Sequence, residues 1–200
     1  MYFGLIAGRA EGIVENCITE GKVTLNVNTS KDFCFGGVVG FGDGTIHNVQ
    51  NNAALFLKSS GKGYTALGGI VGSMHGNNNS ISAATNTGSI DANVNGRIFA
   101  GGITGEYINA TDLYSAQNEG NISVVTSLTE DKERCATGGI IGSIMESGID
   151  RALNKGKVFM SYNKEAKNVE IITGGIIGIA QSSKLANVGN KGTVETSEIS

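Results

Sequence analysis

The chain has 200 residues, 40% of them hydrophobic, so it can form a core; its formal net charge of −3 provides no footprint for nucleic acid or anionic lipid. With 31 glycines it is poorly suited to helices, each interior glycine costing roughly 1 kcal/mol against alanine, and the lack of proline removes collagen and polyproline readings. Aromatics are 6%, which leaves Ile, Val, Leu and Ala to build the interior.

Taken in chain order, the sequence alternates a glycine cluster with a ten-residue module. GLIAG at Gly4 precedes Val14-Cys17-Thr19-Gly21-Val23, and GGVVG at Gly36 precedes Ile46-Val49-Asn51-Ala53-Leu55. GGIVG at Gly68 leads to Ile81-Ala84-Asn86-Gly88-Ile90, and GGITG at Gly101 to Leu113-Ala116-Asn118-Gly120-Ile122. GGIIG then occurs twice, at Gly138 before Ile149-Ala152-Asn154-Gly156-Val158 and at Gly174 before Leu185-Val188-Asn190-Gly192-Val194. A period of 32 to 36 residues between modules marks a stacked array. The expected fold is all-β: a parallel β-solenoid of about six coils, starting near residues 4, 36, 68, 101, 138 and 174, forming one array over 1–200.

Each glycine cluster leads into a β-branched residue, Ile6, Val38, Ile70, Ile103, Ile140 or Ile176, which predicts a short strand. Another strand is predicted ahead of each later cluster, at 32–35, 64–67, 97–100, 134–137 and 169–173. Copies of one slot, stacked ~4.8 Å apart, form ladders of like residues. Four are expected: the β-branched column and the three aliphatic or small columns of the module. Asn-x-Gly reads as a corner in the left-handed region, its asparagines able to bond to one another along the axis.

Length varies in two places. From first glycine to module the counts are 10, 10, 13, 12, 11 and 11; from the module's last aliphatic to the next glycine they are 13, 13, 11, 16 and 16. Loops absorb insertions, so 124–134 and 159–169 are expected as neighbouring surface loops and as the first place to look for function. The mixed-charge run Glu130-Asp131-Lys132-Glu133-Arg134 falls in the first of them.

The GG[IV]xG cluster followed by aliphatic-x-x-Ala-x-Asn-x-Gly-x-Val resembles the GLUG repeat of bacterial secreted and surface proteins, a family that includes segments of IgA-cleaving metallopeptidases and adhesin-like proteins. The resemblance runs from Gly4 to about Val194. The first copy departs from it at Leu5 and Thr19, the second at Ala53. What the resemblance implies is a stalk or binding segment on a bacterial surface, with no catalytic residues carried over.

The residues themselves point to little chemistry. Three cysteines make no disulfide framework: Cys17 sits in a small-apolar slot, and Cys34 and Cys135 lie three coils apart. His47 and His75 occupy unrelated slots, which argues against a metal site. Gly40-Phe41-Gly42-Asp43-Gly44 has a faint likeness to a calcium-binding nonapeptide but occurs once and reads as a tight turn. The glycine clusters lead into strands, unlike dinucleotide fingerprints. Glu106, Asp112, Glu146 and Asp150 are the most suggestive carboxylates, since stacking would bring Asp112 near Glu146 or Asp150, but they read as solvated surface acids because adjacent sites in other repeats hold Ser73 or Ile179.

No catalytic, cofactor-binding or metal residue is therefore assigned, and no enzyme is expected. The expected function is a non-catalytic structural or adhesive segment of an extracellular or cell-surface protein; the alternative is a carbohydrate-active or glycan-binding β-helix. Expected partners are neighbouring repeats or domains of the same polypeptide and a host protein or glycan, with no nucleic acid and no membrane span. The longest apolar run, 171–180, is broken by Gly174, Gly175 and Gly178 and falls short of the ~20 residues a span needs. Met1-Tyr2-Phe3 lacks the basic region of a secretory signal, so an export signal is expected on further sequence and the chain is expected to be a segment of a longer protein.

Overall fold

A computed structural model describes residues 1–128, 133–164 and 169–199. It is a parallel β-solenoid of six rungs and about five turns, with 22 strands and no helix among the described residues. The strands ahead of the glycine clusters form one six-stranded sheet: β1 (Tyr2–Gly4), β4 (Phe33–Gly36), β7 (Thr65–Gly68), β11 (Ile98–Gly101), β15 (Arg134–Gly138) and β19 (Glu170–Gly174). The strands that close each coil form another: β3 (Lys22–Val27), β6 (Ala54–Ser59), β10 (Ile90–Asn95), β14 (Ile122–Leu128), β18 (Val158–Lys164) and β22 (Val194–Glu198).

The remaining sheet changes character along the axis. In the first two coils it is built from single 13-residue strands, β2 (Ala7–Thr19) and β5 (Val39–Asn51). From the third coil on, each is replaced by two strands: β8 (Val71–His75) and β9 (Ser80–Asn86), β12 (Thr104–Ile108) and β13 (Leu113–Asn118), β16 (Ile141–Met145) and β17 (Gly148–Asn154), then β20 (Ile177–Gln181) and β21 (Lys184–Asn190). The sequence locates the break. Gly12, Gly44, Gly76, Asn109, Glu146 and Ser182 all have positive φ, and each lies eight residues after its coil's first glycine, as 44 follows 36. The module begins two residues later in the first two coils, as 46 follows 44, and five later in the third, as 81 follows 76. Extra residues at this bend interrupt the ladder and split the strand.

All four expected ladders form in register. The β-branched column is hydrogen-bonded rung to rung, Val38 N to Ile70 O, Ile70 N to Ile103 O and Ile103 N to Ile140 O. Its central members are fully buried, whereas Ile6 on the first rung is 50% exposed. Each buried aliphatic is worth roughly 1.5–3 kcal/mol in area removed from water. The interior has two compartments, one around Val38, Ile70, Ile103 and Ile140, the other around Phe35, Leu55, Leu67 and Ile90.

Between these compartments stands a column of buried amides. Thr19 Oγ1 donates to Asn51 Oδ1 at 2.7 Å, Asn51 Nδ2 to Asn86 at 2.7 Å, and Asn86 to Asn118 at 2.7 Å. Asn118 donates to Asn154 at 2.8 Å and Asn154 to Asn190 at 2.8 Å. Each Nδ2 also donates to the carbonyl two residues on, such as Gly120 or Gly156, so the amides of Asn51, Asn86, Asn118 and Asn154 are satisfied where water cannot reach, while Asn190 on the last rung is exposed.

The corner departs from expectation in one respect. None of these asparagines has positive φ, nor do Gly88, Gly120, Gly156 or Gly192; in these two slots only Gly21 does. Glycine is needed here for close approach: a Cβ on Gly156 would stand 2.0 Å from the Gly120 carbonyl oxygen of the rung below. The left-handed residues of the module are instead Asn16, Asn48, Ala83, Ser115, Arg151 and Asn187, three positions earlier than the amide column, at φ 49° to 57°.

The second glycine of each cluster makes room for the asparagine. A Cβ on Gly102 would lie 2.3 Å from Asn118 Cγ, and one on Gly139 would lie 2.4 Å from Asn154 Cγ. The two motifs are thus halves of one contact. The first coil departs at both halves together, with Leu5 for the glycine and Thr19 for the asparagine.

Candidate functional site

The four carboxylates have different surroundings. Asp112 on the bend before β13 lies against the backbone of Gly148, where an added Cβ would meet its Oδ1 at 2.1 Å. Glu146 is exposed on the left-handed bend after β16. Asp150, on the outer face of β17, accepts from Asn187 Nδ2 at 2.7 Å. Glu106, on β12, is engaged one rung down by the fourth coil's neighbour. Among the described residues no group of three or more His, Cys, Asp or Glu is arranged to hold a metal ion.

Glu106 is the centre of the most developed polar cluster. Its register partner is Ser73 on β8, and His75 follows two residues later on the same strand. Ser73 Oγ lies 2.9 Å from His75 Nε2 and donates to Glu106 Oε2 at 3.1 Å; His75 Nε2 is 2.9 Å from the same carboxylate oxygen. The Glu106 side chain is 13% exposed. Burial opposes its ionisation, but hydrogen bonds from His75 and Ser73 and the His75 charge outweigh that, holding its pKa below the usual carboxylate value. Burial, then the Glu106 charge, pushes the nearby Tyr64 hydroxyl well above the ordinary phenol range.

Serine, histidine and a carboxylate suggest a nucleophilic triad, but the geometry is wrong for one. A triad uses both ring nitrogens, one toward the nucleophile and one toward the acid. Here Nε2 alone meets Ser73 and Glu106. The cluster satisfies a largely buried carboxylate with hydrogen bonds from Ser73 and His75 and forms no serine–imidazole–carboxylate relay. Sequence reading weighed Glu106 as one of four carboxylates; the signal that could have found the cluster is the stacking of column 73 on column 106, with His75 two residues further on.

The cysteines are free and chemically quiet. Burial first, then the Glu106 charge, pushes the Cys34 thiol up to about 12, and burial pushes Cys135 up to about 11. Thiols held protonated are poor nucleophiles. Cys17 is half-buried in the small-apolar column and donates to the Glu15 carbonyl at 3.2 Å. His47 lies on the outer face, its Nδ1 2.9 Å from Ser82 Oγ.

Two expectations are corrected. Residues 40–44 form no tight turn: they run through β5, with Gly44 at φ 148° and Asp43 Oδ1 accepting from Asn79 Nδ2 at 3.3 Å. The segments 124–134 and 159–169 are largely strand, since β14 and β18 pair from Ile122↔Val158 to Leu128↔Lys164. The remaining parts of that expectation, 129–132 and 165–168, lie outside the described residues, as does most of the charged run from Glu130 to Lys132. No helix of the described residues is long and apolar enough to cross a membrane.

The outer face of the module carries a furrow. The left-handed residues form one bank, the residues two further on form the other, and Cys17, Val49 and Ala116 of the small inward-pointing column form the floor. It comprises two adjoining depressions of about 190 and 330 Å³ that share Asn48, Ala83 and Thr85.

No family model, curated protein or solved structure matches the chain.

Proposed function

We propose that this chain is a GLUG-type repeat array from a bacterial secreted or cell-surface protein, working without catalysis as a stalk or adhesive surface. The observation that carries this reading is the continuity of the stack. Core ladders and the amide column repeat from rung to rung, and such an array is held by nearest-neighbour contacts that extend it along one axis. Six rungs at ~4.8 Å make a rod some 25 Å long. Its partners on this reading are adjoining repeats or domains of the same polypeptide and a host protein or glycan outside the cell.

The Glu106 cluster favours the non-catalytic form, because its serine, histidine and carboxylate are engaged with one another. A carbohydrate-active β-helix would need two carboxylates flanking one bond, and Asp150 already accepts from Asn187 Nδ2. The test is adhesion of beads coated with the chain to host cells and matrix proteins, with oligosaccharides assayed in parallel for turnover. Adhesion without turnover is expected. Products from any oligosaccharide would overturn the non-catalytic reading, and beads that adhere to nothing would remove the adhesive one.

A further inference from the structure

The furrow differs from the rest of the surface in a way that the fold does not require. At φ near +50° asparagine is the cheapest residue after glycine, and Asn16, Asn48 and Asn187 follow that rule. On three consecutive central rungs the position is instead Ala83, Ser115 and Arg151, which pay the full steric cost of the left-handed region without asparagine's local compensation. Those three rungs line the larger depression. Beside them Tyr114 is 39% exposed, with the Arg151 guanidinium 5.1 Å from its ring centroid. The opposite bank carries Gln50, Thr85 and Gln117 between Ile18 at one end and Leu153 at the other.

We propose that this furrow binds a neutral polysaccharide chain laid along the solenoid axis, centred on Ser115, Gln117 and the Tyr114–Arg151 pair. The proposal rests on the adhesive reading above and names its ligand class and surface. Three features select the occupant. The strands beneath, β5, β9, β13 and β17, are paired on both sides within their sheet, so an extended peptide finds no free edge to join. The lining has one cation, Arg151, and no carboxylate, which suits neither a polyanion nor a basic peptide. Amides and hydroxyls recur on four successive ~4.8 Å rungs, from Asn16 through Gln50 and Thr85 to Ser115 and Gln117, a spacing close to the length of one pyranose unit that matches a hydroxylated chain of similar repeat, and an exposed aromatic ring offers a sugar its flat face.

Isothermal titration of the whole chain with cellohexaose, maltohexaose, mannohexaose and a galacturonate hexamer tests this. At least one neutral hexamer should bind, with its trimer weaker, and Gln117→Ala with Thr85→Ala should weaken binding about tenfold or more. Ser115→Asn guards against a trivial loss of folding: asparagine suits φ 57°, so this variant should melt at or above the parent temperature while binding the sugar more weakly. Silence toward every neutral hexamer, binding of the galacturonate alone, or sugar binding that all three substitutions leave intact would overturn the proposal. If beads still adhere to host protein while the furrow variants change nothing, the adhesive reading survives and the furrow assignment falls.

Discussion

Two columns three residues apart in the same module show opposite rules. The inner one, from Thr19 through Asn51, Asn86, Asn118 and Asn154 to Asn190, keeps its chemistry nearly constant and adopts ordinary backbone geometry. The outer one, Asn16, Asn48, Ala83, Ser115, Arg151 and Asn187, keeps φ within 49° to 57° while its chemistry changes freely. Burial explains the contrast. An amide between two apolar compartments must find hydrogen bonds, and only an identical amide one rung away supplies donor and acceptor in register. A side chain facing water has no such obligation, so there only the path of the backbone is conserved from coil to coil.

The contrast between inside and outside is tested most severely at Ile140, which is fully buried at mid-array. Ile140→Asp should cost about 4 kcal/mol or more, since it removes an aliphatic and buries a carboxyl without a partner. Ile6→Asp should cost about 1 kcal/mol, because Ile6 is already 50% exposed. Urea unfolding measures both, and an equal effect at the two sites would refute the core assignment.

A direct comparison of the two columns comes next in size. Asn118→Ala strands Asn154 Oδ1 and opens a void against Gly102, so a loss of about 2–3 kcal/mol is expected. Ser115→Ala, on the outer column three residues earlier, should stay within about 0.5 kcal/mol. If thermal melts rank the two the other way, inner chemistry is not what the stack depends on.

The paired departure in the first coil can be examined by a double-mutant cycle. Thr19→Asn should destabilise beside Leu5, and Leu5→Gly should leave a gap beside Thr19. Together they should recreate the contact seen between Gly102 and Asn118, with a favourable coupling of about 1 kcal/mol. Additive effects would mean that the two halves of the motif act independently.

The smallest effect concerns a polar group held by partners from a single neighbouring rung. Glu106 has its pKa lowered in the folded state, so its contribution is complete above the unfolded carboxylate value, about 4.3, and is lost as pH falls through the lower folded value. Glu106→Gln should therefore make stability less steep with pH below about 4.3. An acid limb as steep as the parent's would show that the His75 and Ser73 contacts are not formed in solution.

Much of the register was legible because like residues recur: once Ile46, Ile81 and Leu113 are seen to share a slot, parallel pairing follows. The Asn-x-Gly element was legible as a corner but misleading about its cause. Asn and Gly together look like left-handed turn chemistry, yet here asparagine serves its amide and glycine serves close approach. The true left-handed column was hidden because Ala83, Ser115 and Arg151 carry no turn signal. The Ser73–His75–Glu106 cluster was hidden for another reason, since Glu106 lies 31 to 33 residues from the other two and meets them only through stacking.

By itself, the sequence determined the period, the parallel in-register stack and the inward columns, because each is a repetition of side-chain type and burial selects side-chain type. The tertiary structure alone decided where the backbone turns left-handed, which strands split, which glycine faces which asparagine, and where the outer furrow lies. Those features depend on dihedral angles and on distances between adjacent rungs, which side chains exposed to water record only weakly.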